Sequence, residues 1–281
     1  CALPILIGVI YLDFYPRESK KAGAWMTNYR EQYTSPEGEN VRPVVSLTCN
    51  FSKPVGDKPA LLSYDEVETF FHEFGHGLHG LLSQCTYEGL AGTNVSRDFV
   101  ELPSQIMEHW VAQPEVLKMY AKHYQTGEVI PQELIDKMEK AGKFNQGFVT
   151  AEFIAAAFLD MDYHTIKTPG DIDVNAFEKS SMDKIGLIKE IIPRYRSTYF
   201  AHAFPGGYSS GYYSYTWAEV LDADAFDAFK ETGDIFNQDV AKSFRKNVLE
   251  RGNTDEPMKL YLNFRGKEPG IEPLLKNRGL L

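Results

Sequence analysis

Residues 70–80 read FFHEFGHGLHG, and this stretch decides the fold. It contains the pattern His-Glu-x-x-His at His72, Glu73 and His76. On a helix, a spacing of four places both imidazoles on one face about one turn apart. Two neutral imidazoles so placed suit a tetrahedral zinc ion, and Glu73 could accept a proton from a water molecule at the open position.

The surrounding residues predict a helix at this position. Ser63 followed by Glu66 forms a capping box, from which the helix should extend to about Gln84. Two histidines on a helix are more often surface or core residues than ligands, and the short pattern leaves both interpretations open. Aromatic and aliphatic neighbours indicate a buried helix, in which two histidines and a glutamate without partners would be costly. His79, one turn beyond His76, is a competing ligand, a hydrogen-bonding neighbour or a packed side chain.

A third ligand must come from outside this helix. The segment DFVELPSQ, residues 98–105, supplies Glu101 after a glycine-containing loop. From the residues alone, a ligand role and a helix-capping or solvated Glu101 are equally favoured. Gln105 and Glu108 lie on the same side of a helix as Glu101, where they could orient the histidines through their second ring nitrogens.

The periodicity on either side predicts the fold class. Alternating apolar and polar residues at Val45–Phe51 predict a strand, and the β-branched and aromatic run Ile5–Tyr15 predicts another. Apolar spacing typical of helices follows, and the further helices are predicted at 99–124, 131–145, 149–165, 208–230 and 235–251. The prediction is a mainly α (α+β) fold: a small sheet region over 1–60, then a helical region over 61–281 that contains the metal site.

Composition excludes several classes of function. A formal charge of -10, from 29 basic and 39 acidic residues, disfavours nucleic acid and anionic membranes as partners. The apolar run 2–12 is too short and too interrupted for a membrane helix. Three cysteines without CxxC spacing indicate neither a disulfide framework nor a cysteine zinc site. We therefore expect a cytoplasmic protein, with the periplasm as the alternative if a signal preceded this chain.

Three blocks of sequence together resemble the metallopeptidase family of thimet oligopeptidase, oligopeptidase A and bacterial peptidyl-dipeptidase. Residues 70–80 are similar to the zinc helix of that family. Residues 92–110, GTNVSRDFVELPSQIMEHW, resemble its second signature, whose glutamate is the third zinc ligand, and this implies Glu101. Residues 202–217, HAFPGGYSSGYYSYTW, resemble its glycine and tyrosine loop. The resemblance implies a helical zincin-like catalytic domain with one zinc ion.

The third block implies further site residues. By resemblance, Tyr208 and Tyr215 stabilise the tetrahedral intermediate or orient the scissile carbonyl, while His202 and Tyr212 assist substrate binding. The three tyrosines are spaced by four and three, so they could share one helix face, which is also typical of an aromatic core stripe. Gly206 and Gly207, which permit backbone bending, are assigned to substrate binding as well.

The implied function is zinc-dependent hydrolysis of short peptides, with dipeptides released from the C-terminus. Endo-acting cleavage is the close alternative, and a non-catalytic peptide-binding or scaffold module and a structural zinc protein are alternatives of another class. Arg194 and Arg196 are candidates for holding a terminal carboxylate, and Val45–Phe51 for pairing with substrate as an exposed edge strand. Family members are longer, so this chain is expected to be a C-terminal catalytic portion that pairs with an amino-terminal part of the same polypeptide.

Overall fold

A computed structural model describes residues 6–168 and 170–281 of the chain, so Ile5 of the first predicted strand lies outside the described residues. Three strands form the main sheet in the order β1-β5-β2. They are β1 (Val9–Asp13), β2 (Trp25–Arg30) and β5 (Val44–Thr48). β1 runs parallel to β5, and β2 runs antiparallel to it. A separate two-stranded hairpin joins β3 (Tyr33–Thr34) to β4 (Asn40–Val41).

The central position of β5 corrects one expectation. Its alternating pattern predicted a strand over Val45–Phe51, and the strand is confirmed over Val44–Thr48, where the polar residues Ser46 and Thr48 are buried as well. However, β5 lies between β1 and β2 and pairs with both, so its backbone is not free to accept a peptide. The exposed edges belong to β1 and β2. The sequence did not reveal β2, whose residues are partly exposed and lack a clean apolar alternation.

The first helix, α1 (Tyr64–Leu82), begins as the capping box predicted. The Ser63 hydroxyl accepts a hydrogen bond from the Glu66 amide, and the Glu66 carboxylate accepts one from the Ser63 amide. These two bonds satisfy amide donors that have no partner within the helix. α1 packs across the sheet through Gly77 and Gly80, where a Cβ on Gly80 would lie 2.7 Å from the Met26 side chain.

The predicted helix over 99–124 is instead three helices. They are α2 (Arg97–Val100), α3 (Leu102–Val111) and α4 (Pro114–Tyr120). Pro103 and Pro114 lie in the first turns of α3 and α4, where a missing amide donor costs nothing. Glu101 is the junction residue between α2 and α3.

The remaining helices enclose two apolar cores. They are α5 (Gln132–Gly142), α6 (Gln146–His164), α7 (Val174–Lys184), α8 (Ser214–Lys230), α9 (Gln238–Phe244), a π-helical turn (Arg245–Leu249), α10 (Pro257–Arg265) and α11 (Glu272–Asn277). One core joins α2 and α3 to the middle of α8 and to α9 and α10. The other joins α6 and α7 to residues 200–212 and the start of α8. The mainly α fold with a small sheet is thus confirmed, and no helix of the described chain is both long and apolar enough to span a membrane.

The helix predicted over 208–230 begins later, at Ser214. Residues 200–213 form successive turns, in which Gly207 has φ +83° and Ser210 has φ +54°. The buried carboxylate of Asp160 on α6 accepts hydrogen bonds from the amides of Ser210 and Tyr212. These bonds hold the segment in a non-helical path. Gly207 adopts its left-handed conformation at little steric cost because it has no Cβ.

Gly75 gives a test of the contact between α1 and α3. A Cβ there would lie 2.2 Å from the Pro103 carbonyl oxygen and 2.6 Å from the Ser104 Cα, both backbone atoms. We expect Gly75→Ala to lower the free energy of unfolding by ~1–3 kcal/mol, because the helices must separate. Gly77→Ala is the control, since its nearest neighbour is the Leu47 side chain at 3.2 Å and alanine favours the helix. Urea unfolding of both variants measures the difference, and equal effects would contradict this account.

Candidate metal centre

Three potential ligand atoms converge between α1 and the α2–α3 junction. The Nε2 atoms of His72 and His76 lie 3.3 and 3.2 Å from Oε2 of Glu101. One ligand atom from each residue lies within 4.8 Å of the others, so a single metal ion could contact all three. Two imidazole nitrogens and one carboxylate oxygen are a donor set of catalytic zinc sites, in which a fourth position is left open. The residues present therefore fit such an ion.

Glu101 is placed by the start of α3. Its side chain is 3% exposed, and the Ser104 hydroxyl donates a hydrogen bond to Glu101 Oε2 at 2.9 Å. Burial by itself would raise the pKa of this carboxyl, but the two facing histidines hold it well below its usual range. Glu101 therefore stays ionised and ready to bind a cation.

A second carboxylate fixes the orientation of His72. Oε1 of Glu108, on α3, lies 2.5 Å from His72 Nδ1, on the opposite side of the ring from Glu101. A proton held on Nδ1 leaves Nε2 with a free lone pair for a metal. Burial opposes a charge on His72, yet the two carboxylates raise its pKa well above its usual value. The cluster thus favours positive charge, whether carried by protons or by a metal ion.

Glu73 is buried beside the ligands and does not join them. Its side chain is 5% exposed, and no partner of its Oε2 atom lies within the described ranges. Burial raises the pKa of Glu73, the histidines lower it, and the charges of Glu101 and Glu108 raise it further. A buried carboxylate with an unengaged oxygen and a raised pKa is suited to accept and return a proton.

The rings of Tyr208, Tyr215 and His202 lie together beside Glu101 and form an aromatic wall of the site. The Tyr208 hydroxyl donates a hydrogen bond to Glu101 Oε1 at 2.6 Å, and the Tyr215 ring stacks on Tyr208 with centroids 5.0 Å apart. The His202 ring lies 6.2 Å from Tyr208 and 6.1 Å from Tyr215. Burial and the charge of Glu101 raise the pKa of both phenols, so they remain neutral hydrogen-bond donors.

Comparison with known proteins identifies the family of this chain. The profile of Peptidase family M3 matches residues 4–280. The chain belongs to peptidase family M3. It is 44% identical over 280 residues to dipeptidyl carboxypeptidase of Escherichia coli and 43% identical over 281 residues to oligopeptidase A of the same organism. Both alignments cover 98% of this chain, which spans about 40% of the length of these relatives.

Solved structures show the same fold at low sequence identity. A putative oligoendopeptidase F from Bacillus anthracis matches over 96% of this chain and 39% of its own, with a TM-score of 0.57 and 12% identity. A carboxypeptidase from Pyrococcus furiosus matches over 97% of this chain and 54% of its own, with a TM-score of 0.57 and 16% identity. The zincin-like fold and the assignment to a family of metallopeptidases are therefore confirmed.

The structure brings together most of the site residues predicted from the sequence. His72, His76, Glu101 and Glu73 form one cluster, with Tyr208, Tyr215 and His202 beside it. Their chemical roles in this M3 chain stay predictions. Tyr212 lies deeper than a substrate contact requires, since it is 2% exposed and stacks on Phe153 in the second core.

The two assigned glycines have evident structural roles in the loop. A Cβ on Gly206 would lie 2.7 Å from the Ala201 carbonyl oxygen, and Gly207 adopts a positive φ. Both requirements concern the backbone path that presents Tyr208. Their assignment to substrate binding stays a prediction.

The structure decides the placement of two polar residues around the motif: Gln105 differs from the expectation, and His79 follows one of the three alternatives given for it. Gln105 donates to the Tyr215 carbonyl oxygen at 3.2 Å, and so it orients the tyrosine helix rather than a histidine. His79 is fully buried outside the cluster, and neither of its ring nitrogens has a hydrogen-bond partner among the described residues. It is a packed side chain and not a competing ligand.

Two further residues shape the site and were not predicted from the sequence. Asp160 holds the tyrosine loop from α6, and its position in the apolar run FIAAAFLDMDY was a detectable signal, because a buried carboxylate needs partners. Arg97 lies over the Tyr208 ring with its guanidinium carbon 5.1 Å from the centroid. Nothing in the local sequence indicated that second contact.

We expect Glu108→Ala to weaken zinc binding by ~10–100-fold, because His72 loses the acceptor that fixes its ring. Competition with a chromogenic chelator measures the affinity. Glu115→Ala, which removes an exposed carboxylate from α4, is the matched control and should leave the affinity unchanged. Equal affinities for the two variants would show that Glu108 does not orient the ligand.

His79 predicts a pH dependence of stability. Burial lowers the pKa of His79 to about 3, so it is neutral in the native state, whereas an unfolded histidine gains a proton below about pH 6.5. The native state therefore loses stability as pH falls through that range, by up to about 1.4 kcal/mol per pH unit for this proton. His79→Leu should flatten the dependence between pH 6.5 and 4.5. Urea unfolding in chelator, with the exposed His123→Leu as control, measures it, and parallel curves for the wild type and both variants would contradict the prediction.

Proposed function

We propose that this chain is the catalytic region of a zinc peptidase that removes dipeptides from the free C-termini of short peptides. The observation that supports this proposal most directly is the convergence of His72, His76 and Glu101 beside the buried carboxylate of Glu73. Among the M3 relatives, dipeptidyl carboxypeptidase at 44% identity supports the release of dipeptides.

One zinc ion is the proposed cofactor. The three residues of the cluster would hold it and leave one position open. When bound, zinc supplies a Lewis acid that lowers the pKa of water and polarises a carbonyl group. Two features of the protein favour binding of this ion: the low pKa of Glu101, and the hydrogen bond that His72 Nδ1 donates to the Glu108 carboxylate.

Glu73 carries out the proton transfers. Its free oxygen accepts a proton from the attacking water as the new carbon–oxygen bond forms at the scissile carbonyl. The same carboxyl then donates that proton to the amine as the peptide bond breaks. The raised pKa of Glu73 brings its two protonation states closer in energy, which suits a group that must both take and return a proton.

The aromatic wall stabilises the carbonyl oxygen as negative charge develops on it. Tyr215 and Tyr208 are neutral donors held by stacking, and the Tyr208 hydroxyl donates a hydrogen bond to Glu101. A substrate carbonyl near Glu101 would compete for that hydroxyl. A preorganised donor of this kind contributes ~10²–10³ in rate. His202 lies next to the rings of Tyr208 and Tyr215 and would also contact the substrate.

An endo-acting oligopeptidase is the second candidate, because oligopeptidase A is 43% identical over the same span. A non-catalytic peptide-binding module is the candidate of another class. We further propose that an amino-terminal part of the same polypeptide forms the opposite wall of the substrate channel, which would account for the additional length of the relatives. A cytoplasmic location is proposed on the two buried free thiols, Cys49 and Cys85, and the periplasm is the alternative.

We expect Glu73→Gln in the whole protein to lose ~10²–10⁴-fold in kcat while retaining bound zinc, because Gln cannot accept the proton. Zinc content by elemental analysis and peptide products by mass spectrometry measure the two effects. A chelator should abolish turnover of the wild-type protein, and added zinc should restore it.

Glu133→Gln, at an exposed position on α5, is the control and should retain wild-type turnover. Full activity of Glu73→Gln would disprove the role of Glu73 as base. Zinc bound by the wild type with no cleavage of any peptide would favour the non-catalytic module. Internal cuts in a peptide with a blocked C-terminus would favour the oligopeptidase.

A further inference from the structure

Arg194 is a cation without a carboxylate partner close to the aromatic wall. No aspartate or glutamate of residues 6–168 or 170–281 lies within ion-pair distance of it. Its guanidinium instead lies over the rings of Phe153 and Tyr195, each at 5.9 Å. Arg196, the other arginine considered from the sequence, donates to Glu178 at 2.6 Å and is already occupied. The structure thus separates two arginines that the sequence could not.

Ring contacts connect Arg194 to the metal centre. Tyr195 packs against His202 with centroids 4.7 Å apart, and His202 in turn contacts Tyr208, which bonds Glu101. The charge also acts on these groups: burial lowers the pKa of His202, and the charge of Arg194 lowers it further. Arg194 therefore lies beyond the tyrosines as seen from Glu101, and its charge reaches into the site.

The proposed leaving group, a dipeptide, keeps its terminal carboxylate close to the scissile bond. Two extended residues span at most about 7 Å, so the terminal carboxylate of a released dipeptide lies one or two side chains away from the scissile bond. A carboxylate there could accept paired hydrogen bonds from a guanidinium, whose planar fork fits it. The guanidinium of Arg194 lies over two aromatic rings and close to the Tyr212 hydroxyl, and it has no carboxylate partner among the described residues.

Arg97 is the alternative cation, and its position is less suitable. It lies over Tyr208 at 5.1 Å, while Tyr215 stacks on the other face of the same ring. Arg97 is thus on the side of Tyr208 away from Tyr215, next to Gly207. A substrate that contacts Tyr215 and His202 would extend away from it.

We propose that Arg194 binds the free C-terminal carboxylate of the substrate and so sets the cut two residues from the end. This inference rests on the proposed peptidyl-dipeptidase function and assigns its end-recognition to one residue.

The test compares a peptide with its C-terminal amide in the whole protein. The wild type should cleave the free acid with a much higher kcat/KM than the amide. Arg194→Gln should lower kcat/KM for the free acid by ~10–100-fold, mainly through KM, because a pair of charge-assisted hydrogen bonds is lost. The kcat/KM for the amide should not change. Arg194→Lys should restore part of the preference, since it keeps the charge without the fork. Arg196→Gln should keep the wild-type ratio of the two substrates.

Binding supplies a readout that does not need turnover. Calorimetric titration with a dipeptide and with its amide should show that Arg194→Gln lowers the affinity for the dipeptide and leaves the affinity for the amide unchanged. A wild type that cleaves both peptides equally would contradict the proposed exopeptidase function itself. A wild type that discriminates, together with an Arg194→Gln variant that still does, would overturn the inference alone. Loss of discrimination in Arg97→Gln instead would assign the carboxylate to Arg97.

Discussion

The backbone contact between α1 and α3 is the constraint on which the site depends. At Gly75 the missing side chain lets the Pro103 carbonyl approach to a distance that any Cβ would block. Because Glu101 lies two residues before Pro103, this approach brings its carboxylate within 3.3 Å of the imidazoles of His72 and His76, which flank Gly75 on the helix. A second close approach, of Gly92 to the Gly80 backbone, holds the loop between α1 and α2 against α1. The ligand distances are thus set by helix packing.

Charge is the second organising feature of the centre. Glu101 contacts Nε2 of His72, and Glu108 contacts Nδ1 of the same ring. Glu101 also contacts Nε2 of His76. Glu101 is buried and Glu108 is partly buried, and two carboxylates so close together are unfavourable unless positive charge lies between them. The raised pKa of His72 and the lowered pKa of Glu101 both reflect that requirement. A divalent ion would satisfy it more fully than protons, at the cost of releasing those protons.

The tyrosines reach this centre through long-range contacts. Asp160 on α6 fixes the loop that carries Tyr208, and Gln105 on α3 binds the backbone at Tyr215. α8 contributes to both apolar cores, so it connects the metal-binding helices to the part of the chain that carries Arg194. The ligands and the phenols are therefore held by helices and turns that pack into the two cores.

By itself, the sequence determined what depends on neighbouring residues: the capping box at Ser63, the helix that carries His72 and His76, and the alternating strand that became β5. Resemblance added Glu101, which spacing alone could not distinguish from a cap. Only the tertiary structure decided that β5 is central, that Tyr212 is core, that α8 begins at Ser214 and that Arg194 rather than Arg196 is unpaired. Periodicity specifies which residues share a face, whereas the partner that covers the face lies tens of residues away in the chain and is chosen by packing and charge.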